Sequence, residues 1–291
     1  MPLNLTAQPN PSAVAHLAAK TPVASILRSA EWAYVPVALS ERAQRSAGVE
    51  SVRFLQTVQD KVMKVVSLQR ERLANGKEAF VTRDSFIADL RQVAREEGIG
   101  GPGPGLSSEG RPTAGALTDV QSSARLGLIY DMQREQALGF ASWKIGQDRD
   151  VLDAFPAQEL IRVESRRMHR DWQSRWIAAG GELVSGGPAI AGGRMIALKT
   201  DPIWENISIF GTPWPPFDWG SGMGLRDVSR KEAMQLGLLE PTDRIEPSEA
   251  GFNSGLAAGV DVANIAEPFI AALKKIFGAK IQIQGNKLAW A

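Results

Sequence analysis

The chain has 291 residues, 44% of them hydrophobic, which is enough to bury a sizeable core and argues against disorder of the whole chain. Its 33 basic and 32 acidic residues nearly cancel, which argues against a dedicated nucleic-acid binder. Cysteine is absent, so disulfides and thiolate sites are ruled out, and with only His16 and His169 a metal site would draw mostly on carboxylates.

Residues 1–22 read as a flexible arm, broken by Pro2, Pro9, Pro11 and Pro22, that orders against a partner. The opening lacks the basic start and long apolar core of a signal peptide, and no apolar run approaches the roughly eighteen residues of a membrane span.

Over 50–75, Leu55, Val58, Val62, Val65 and Val66 form one stripe, which predicts an amphipathic helix with Asn75-Gly76 as its stop. A second helix follows, capped by Thr82 or Asp84, with Phe86, Ile87, Leu90 and Val93 on its apolar face. The two read as an antiparallel pair. Residues 98–115 are dominated by Gly and Pro, so they form a linker or long loop, and no Lys-Ser or Lys-Thr follows to make a phosphate loop.

Thr118 is placed to cap a third helix reaching Gly146, whose Ala137, Gly139 and Ala141 permit close packing. Glu159–Ala179 reads as a helix in which Arg162, Arg166 and Arg170, four apart, share one face that could contact phosphate or a partner's carboxylates. Met195–Leu198 reads as a short strand. Asp201–Arg226 then gathers Trp204, Trp214 and Trp219 with Pro213, Pro215 and Pro216. Pro-Pro cannot sit inside a helix or central strand, so this is an irregular loop pinned by aromatic burial. Ser229 with Glu232 makes a capping-box pattern, 260–277 reads as a helix, and Ile281, Ile283 and Leu288 around Gly285-Asn286 predict a hairpin.

Catalytic signals are sparse. His169 would need an orienting carboxylate and a nucleophile, and no GxSxG elbow accompanies it. Asp148 with Asp150, and Asp218 with Asp227, are carboxylate pairs of a common kind. Gly220, Gly222 and Gly224 follow no buried strand, so a tight turn explains them better than a dinucleotide fingerprint.

Taken in order, Arg166–His169, Asp201-Pro202-Ile203-Trp204, Pro215-Pro216-Phe217-Asp218-Trp219 and the following Val228-Ser229-x-x-Glu232 stretch resemble the phage Mu protein F-like family of minor head proteins. The upstream helix with Tyr130, Arg134, Ala137 and Gly139 is similar to the helix that precedes the histidine in that family. Where the family has Cys-Arg-Cys, this chain has Gly220-Ser221-Gly222-Met223, so a metal or redox role for those cysteines does not transfer.

The resemblance implies a non-enzymatic structural protein of a tailed phage, made in the host cytoplasm and built into the head or neck. It would act in head assembly, packaging or ejection, in multiple copies among portal and major capsid proteins, without a membrane or a cofactor. Its scaffold residues would be His169, Asp201, Trp204, Trp214, Pro215, Pro216 and Trp219. The alternatives are a virion protein touching packaged DNA through Arg162, Arg166 and Arg170, and a metal-dependent hydrolase using His169. The expected fold is α+β and predominantly helical: an arm (1–22), an N-terminal helical region (23–97), a Gly/Pro linker (98–117), a small mixed core like that of the minor head proteins (118–241), and a C-terminal helix and hairpin (242–291).

Overall fold

The computed structural model describes residues 9–73, 75–100, 115–166, 169–185, 193–248, 260–261 and 267–291. It is an α+β fold with two compact units, one of residues 1–138 with 252–291, the other of 139–251. The first unit opens with helix α1 (Pro11–Ala18), where the sequence predicts a flexible arm. Asn10 makes the helix possible: its Oδ1 accepts from the Ser12 and Ala13 amides at 3.1 and 3.2 Å, and Pro11 sits where no amide is needed. Ala13, His16 and Leu17 are buried, so α1 is seated on its own chain.

Strand β1 (Thr21–Pro22) pairs in parallel with β2 (Ala43–Gln44), and α2 (Ser29–Trp32) and α3 (Val37–Arg42) lie between them in sequence. Helix α4 (Val52–Val66) starts at Ser51, whose Oγ caps the Phe54 amide at 3.0 Å. It buries Leu55, Val58, Val62 and Val66 of the predicted stripe, with Phe54 added and Val65 only half-buried. The predicted helix to residue 75 stops short: β3 (Arg70–Arg72) and β4 (Glu78–Phe80) form a hairpin, and Asn75-Gly76 is in its turn. Helix α5 (Arg83–Glu96) has the Thr82 cap read from sequence, with Ser85 answering in a capping box. Arg53 pairs with Glu96 and Glu97 while Lys61 pairs with Asp89, a reversed order that fixes α4 and α5 as antiparallel.

Helix α6 (Ser123–Gly146) begins later than Thr118, with the Ser122 hydroxyl accepting from the Arg125 amide at 3.0 Å. The boundary between the units falls within it, after Leu138. In the first unit its Tyr130 meets Phe86 at 5.1 Å, and Asp131 takes a forked contact from Arg83.

The second unit is built on a four-stranded antiparallel sheet. Helix α7 (Arg149–Ala154) leads into β5 (Ala157–Arg162), followed by α8 (Trp172–Ala178), β6 (Leu183–Val184), β7 (Arg194–Leu198), α9 (Ile203–Asn206), β8 (Met223–Val228) and α10 (Arg230–Gln235). The strand order is β6-β7-β5-β8. The helix predicted over Glu159–Ala179 is therefore a strand, a connection and a short helix. Strand alternation sends Leu160 and Ala197 into a tryptophan-rich core with Trp172, Trp176 and Trp204. It sends Ala157, Ile196 and Val228 to the other face, against Ala233 and Leu239.

The C-terminal stretch returns to the first unit. Strand β9 (Val260–Asp261) pairs with β11 (Lys287–Trp290), which pairs with β10 (Ile281–Gln284) across the predicted Gly285-Asn286 turn. Helix α11 (Glu267–Phe277) is shorter than the 260–277 helix read from sequence. Its Leu273 and Phe277 pack with Val23, Trp32 and Leu39, and Phe277 meets Trp32 edge-on at 6.1 Å.

Candidate functional site

Residues 199–222 of the second unit leave the end of β7, turn through α9 and return to β8, carrying Asp201, Trp204, Trp214, Pro215, Pro216 and Trp219 from the sequence candidates, while His169, Arg162, Arg166 and Arg170 lie outside them. Asp201 and Trp204 fix backbone through their side chains. The Asp201 Oδ1 accepts from the Ile203 amide at 2.7 Å and starts α9. Trp204 is fully buried, its indole N–H donating to the Leu198 carbonyl at 2.8 Å. Its ring lies 5.2 Å from Trp176 and 6.0 Å from Phe217. The Ile209 amide donates to the Phe217 carbonyl at 3.0 Å, which closes the bend between them.

Trp214 sits between Phe140 and Trp143, each 5.1 Å away by ring centroid, and is 4% exposed. Gly139, next to Phe140 in α6, faces Pro215: a Cβ there would collide with the Pro215 carbonyl oxygen. The Pro215–Pro216 bond is cis. So Gly139, from the small-residue run of the helix, and the Pro-Pro turn are two sides of one contact. Only glycine lets the backbones come this close.

Asp218 anchors the far side. Its Oδ1 accepts from the Trp219 amide at 2.7 Å, and its Oδ2 takes Arg175 at 3.0 Å and Arg170 at 3.2 Å. Arg170 also donates to the Trp219 carbonyl at 2.8 Å. Gly220 and Gly222 have φ of 50° and 67°, the left-handed region the return turn requires. The Gly222 carbonyl accepts from the Val163 and Glu164 amides at 2.9 and 3.0 Å, tying the turn to the end of β5. Trp219 departs from the expected burial: it is 38% exposed and packs edge-on against Phe210 at 5.0 Å.

The arginines are not a row on a helix. Arg162 ends β5, Arg166 lies in the connection and pairs with Glu164, and Arg170 precedes α8 and grips the loop. The i, i+4 spacing loses its meaning once the backbone is extended. His169 is exposed in the same connection. Among the described residues, no group of three or more His, Asp or Glu is placed to hold a metal ion. The candidate carboxylates have other roles: Asp148 caps α7 through the Asp150 amide at 2.9 Å, and Asp227 pairs with Lys199 at 2.8 Å.

Sequence reading missed the charge cluster on the opposite face of the sheet. Glu159 of β5 takes forked hydrogen bonds from Arg194 of β7 at 2.8 and 2.7 Å and further bonds from Arg226 of β8 at 2.9 and 2.6 Å. Glu232 of α10 joins both arginines. Hydrogen bonds from Arg194, with those from Arg226, hold the Glu159 carboxyl below its usual range against the opposing effect of burial. The available signal was a charged residue, Glu159, Arg194 or Arg226, in each of three short strand segments.

No family model, no characterised protein and no solved structure matches the chain. Among the described residues, no helix is long and apolar enough to cross a membrane.

Proposed function

We propose that the chain is a structural minor head protein of a tailed bacteriophage, built into the head or neck beside portal and capsid proteins. One observation carries the reading. Of the seven scaffold residues that the resemblance implies, Asp201, Trp204, Trp214, Pro215 and Pro216 lie in one tightly held loop that Asp218 and Arg170 close, while His169 and Trp219 are exposed. A part of an assembly needs a fixed outline more than a reactive group, and conserving shape through burial and backbone contacts is how a loop acquires one. Gly220-Ser221-Gly222, in place of the family's cysteines, supplies two left-handed residues for the turn instead of ligands. The exposed Ile209 and Trp219 offer this loop's apolar contact to a partner.

The DNA-contact alternative is weaker, because Arg166 and Arg170 are engaged by Glu164, Asp218 and the Trp219 carbonyl. The test is mass spectrometry of purified heads and tails separated from one another. The proposal expects the chain in heads at a fixed, low copy number relative to the major capsid protein. Its presence in infected-cell extract and absence from all particles would overturn the proposal.

A further inference from the structure

Strands β1 and β2 make a short ladder in which Thr21 pairs with Ala43 and Pro22 with Gln44. Successive side chains of a strand point to opposite faces. Ala43 lies in the core with Val23, Trp32 and Phe277, so Gln44 points to the other face. Helix α4 packs against both strands and contributes no residue to the Ala43 core. The Gln44 face is therefore the one that looks at α4.

Little on that face bonds to an amide. Pro22, the ladder neighbour, has no N–H, and its carbonyl accepts from Lys280 Nζ at 2.8 Å. Gln59 is the one polar residue among the buried side chains of α4. Its Nε2 is spent on the Leu17 and Lys20 carbonyls at 2.6 and 2.8 Å. Gln44 is 1% exposed, and among the described residues neither its Oε1 nor its Nε2 has a hydrogen-bond partner. Its backbone is paired, the carbonyl accepting from the Val23 amide at 3.0 Å. Only the side-chain amide is left over, and native structures partner nearly all such buried groups.

We propose that Gln44 anchors an internal water site between the β1–β2 ladder and α4. The amide sets the chemistry of its ligand. It presents a donor and an acceptor together, so the ligand must accept and donate. A metal ion would serve Oε1 alone, and an anion Nε2 alone. Water serves both, and it is small enough to be enclosed with a side chain this deeply buried. Folded proteins hold about one buried water per 27 residues, bonded to polar groups that otherwise lack partners.

The experiment is rotating-frame NMR of the full chain with labelled glutamine, which separates contact with a bound water from proton exchange by sign. The Gln44 side-chain amide protons should show a long-lived water contact. Gln59, whose amide protons are given to carbonyls, is the dry control. Absence of a water contact at Gln44 would overturn the site. Gln44→Met supplies a second readout, because it removes both polar atoms at similar volume. If Gln44 is bonded to water, the variant's ratio of folded to unfolded chain in a urea melt stays level or falls. If the amide is bare, that ratio rises about fivefold or more, which would also overturn the proposal. Should the variant not fold, the water contact in the wild type decides.

Discussion

Gly139 of α6 and Pro215 of the tryptophan loop meet backbone to backbone, with no room between them for a methyl group. This contact sets where the loop turns, and it brings Trp214 against Phe140 and Trp143.

Gly139→Ala is therefore expected to destabilise the second unit by about 1–3 kcal/mol, the usual penalty of overpacking. On helix propensity alone the same change would stabilise by up to about 1 kcal/mol. The two accounts differ in sign, so a thermal or urea melt of the variant separates them.

The tryptophans should not be equivalent. Trp204→Ala and Trp214→Ala empty fully packed positions and should each cost about 3–5 kcal/mol. Trp219→Ala, at a site 38% exposed, should cost about 1 kcal/mol through its lost edge contact with Phe210. Urea midpoints of the three variants check the order. Equal losses would mean that Trp219 is buried in solution.

Asp218→Asn retains the shape of the side chain and removes the charge that Arg170 and Arg175 share. A loss of about 1–3 kcal/mol is expected for hydrogen bonds to a charged group. Arg170 is 42% exposed, so its share lies at the low end. A melt of Asp218→Asn beside Arg170→Ala and Arg175→Ala should show the arginine at position 175 contributing more.

Acid should weaken the second unit through the Glu159 cluster. Hydrogen bonds from Arg194 hold Glu159 low, and those from Arg226 hold Glu232 low. The unfolded chain therefore takes up protons first. The stabilisation is complete above about pH 4.5 and is lost as the pH falls through the lower folded values. Glu159→Gln should cost about 2–3 kcal/mol at neutral pH, less than a wholly buried pair because Arg226 is 42% exposed. It should also flatten the acid limb of stability against pH, measured by urea melts from pH 3 to 7.

Several elements were legible in the sequence because a local signal and its tertiary setting agree. The Thr82 cap, the Ser229 cap and the Gly285-Asn286 turn each use chemistry confined to neighbouring residues. Strand β5 was hidden for the opposite reason. Glu159 carries a charge that a buried strand normally refuses, and only Arg194 and Arg226, distant in sequence, make it acceptable. With Glu159 read as exposed, the arginines that follow mimic a helix face. Helix α1 was masked by its prolines, though Asn10-Pro11 is itself a start signal. In the candidate site, the burial of Trp204 and Trp214 could be read directly and that of Trp219 could not, while the contact between Gly139 and Pro215 joins segments too far apart for any spacing rule.

The central claim is that residues 201–222 form a rigid part of the second unit. Backbone order parameters from NMR relaxation, read at Ile203, Trp204, Ile209 and Phe217, test it most directly. Values near 0.85, equal to those of β5 and β8, are the expected result. Values below about 0.6 at Ile209 and Phe217, with the sheet still ordered, would contradict it.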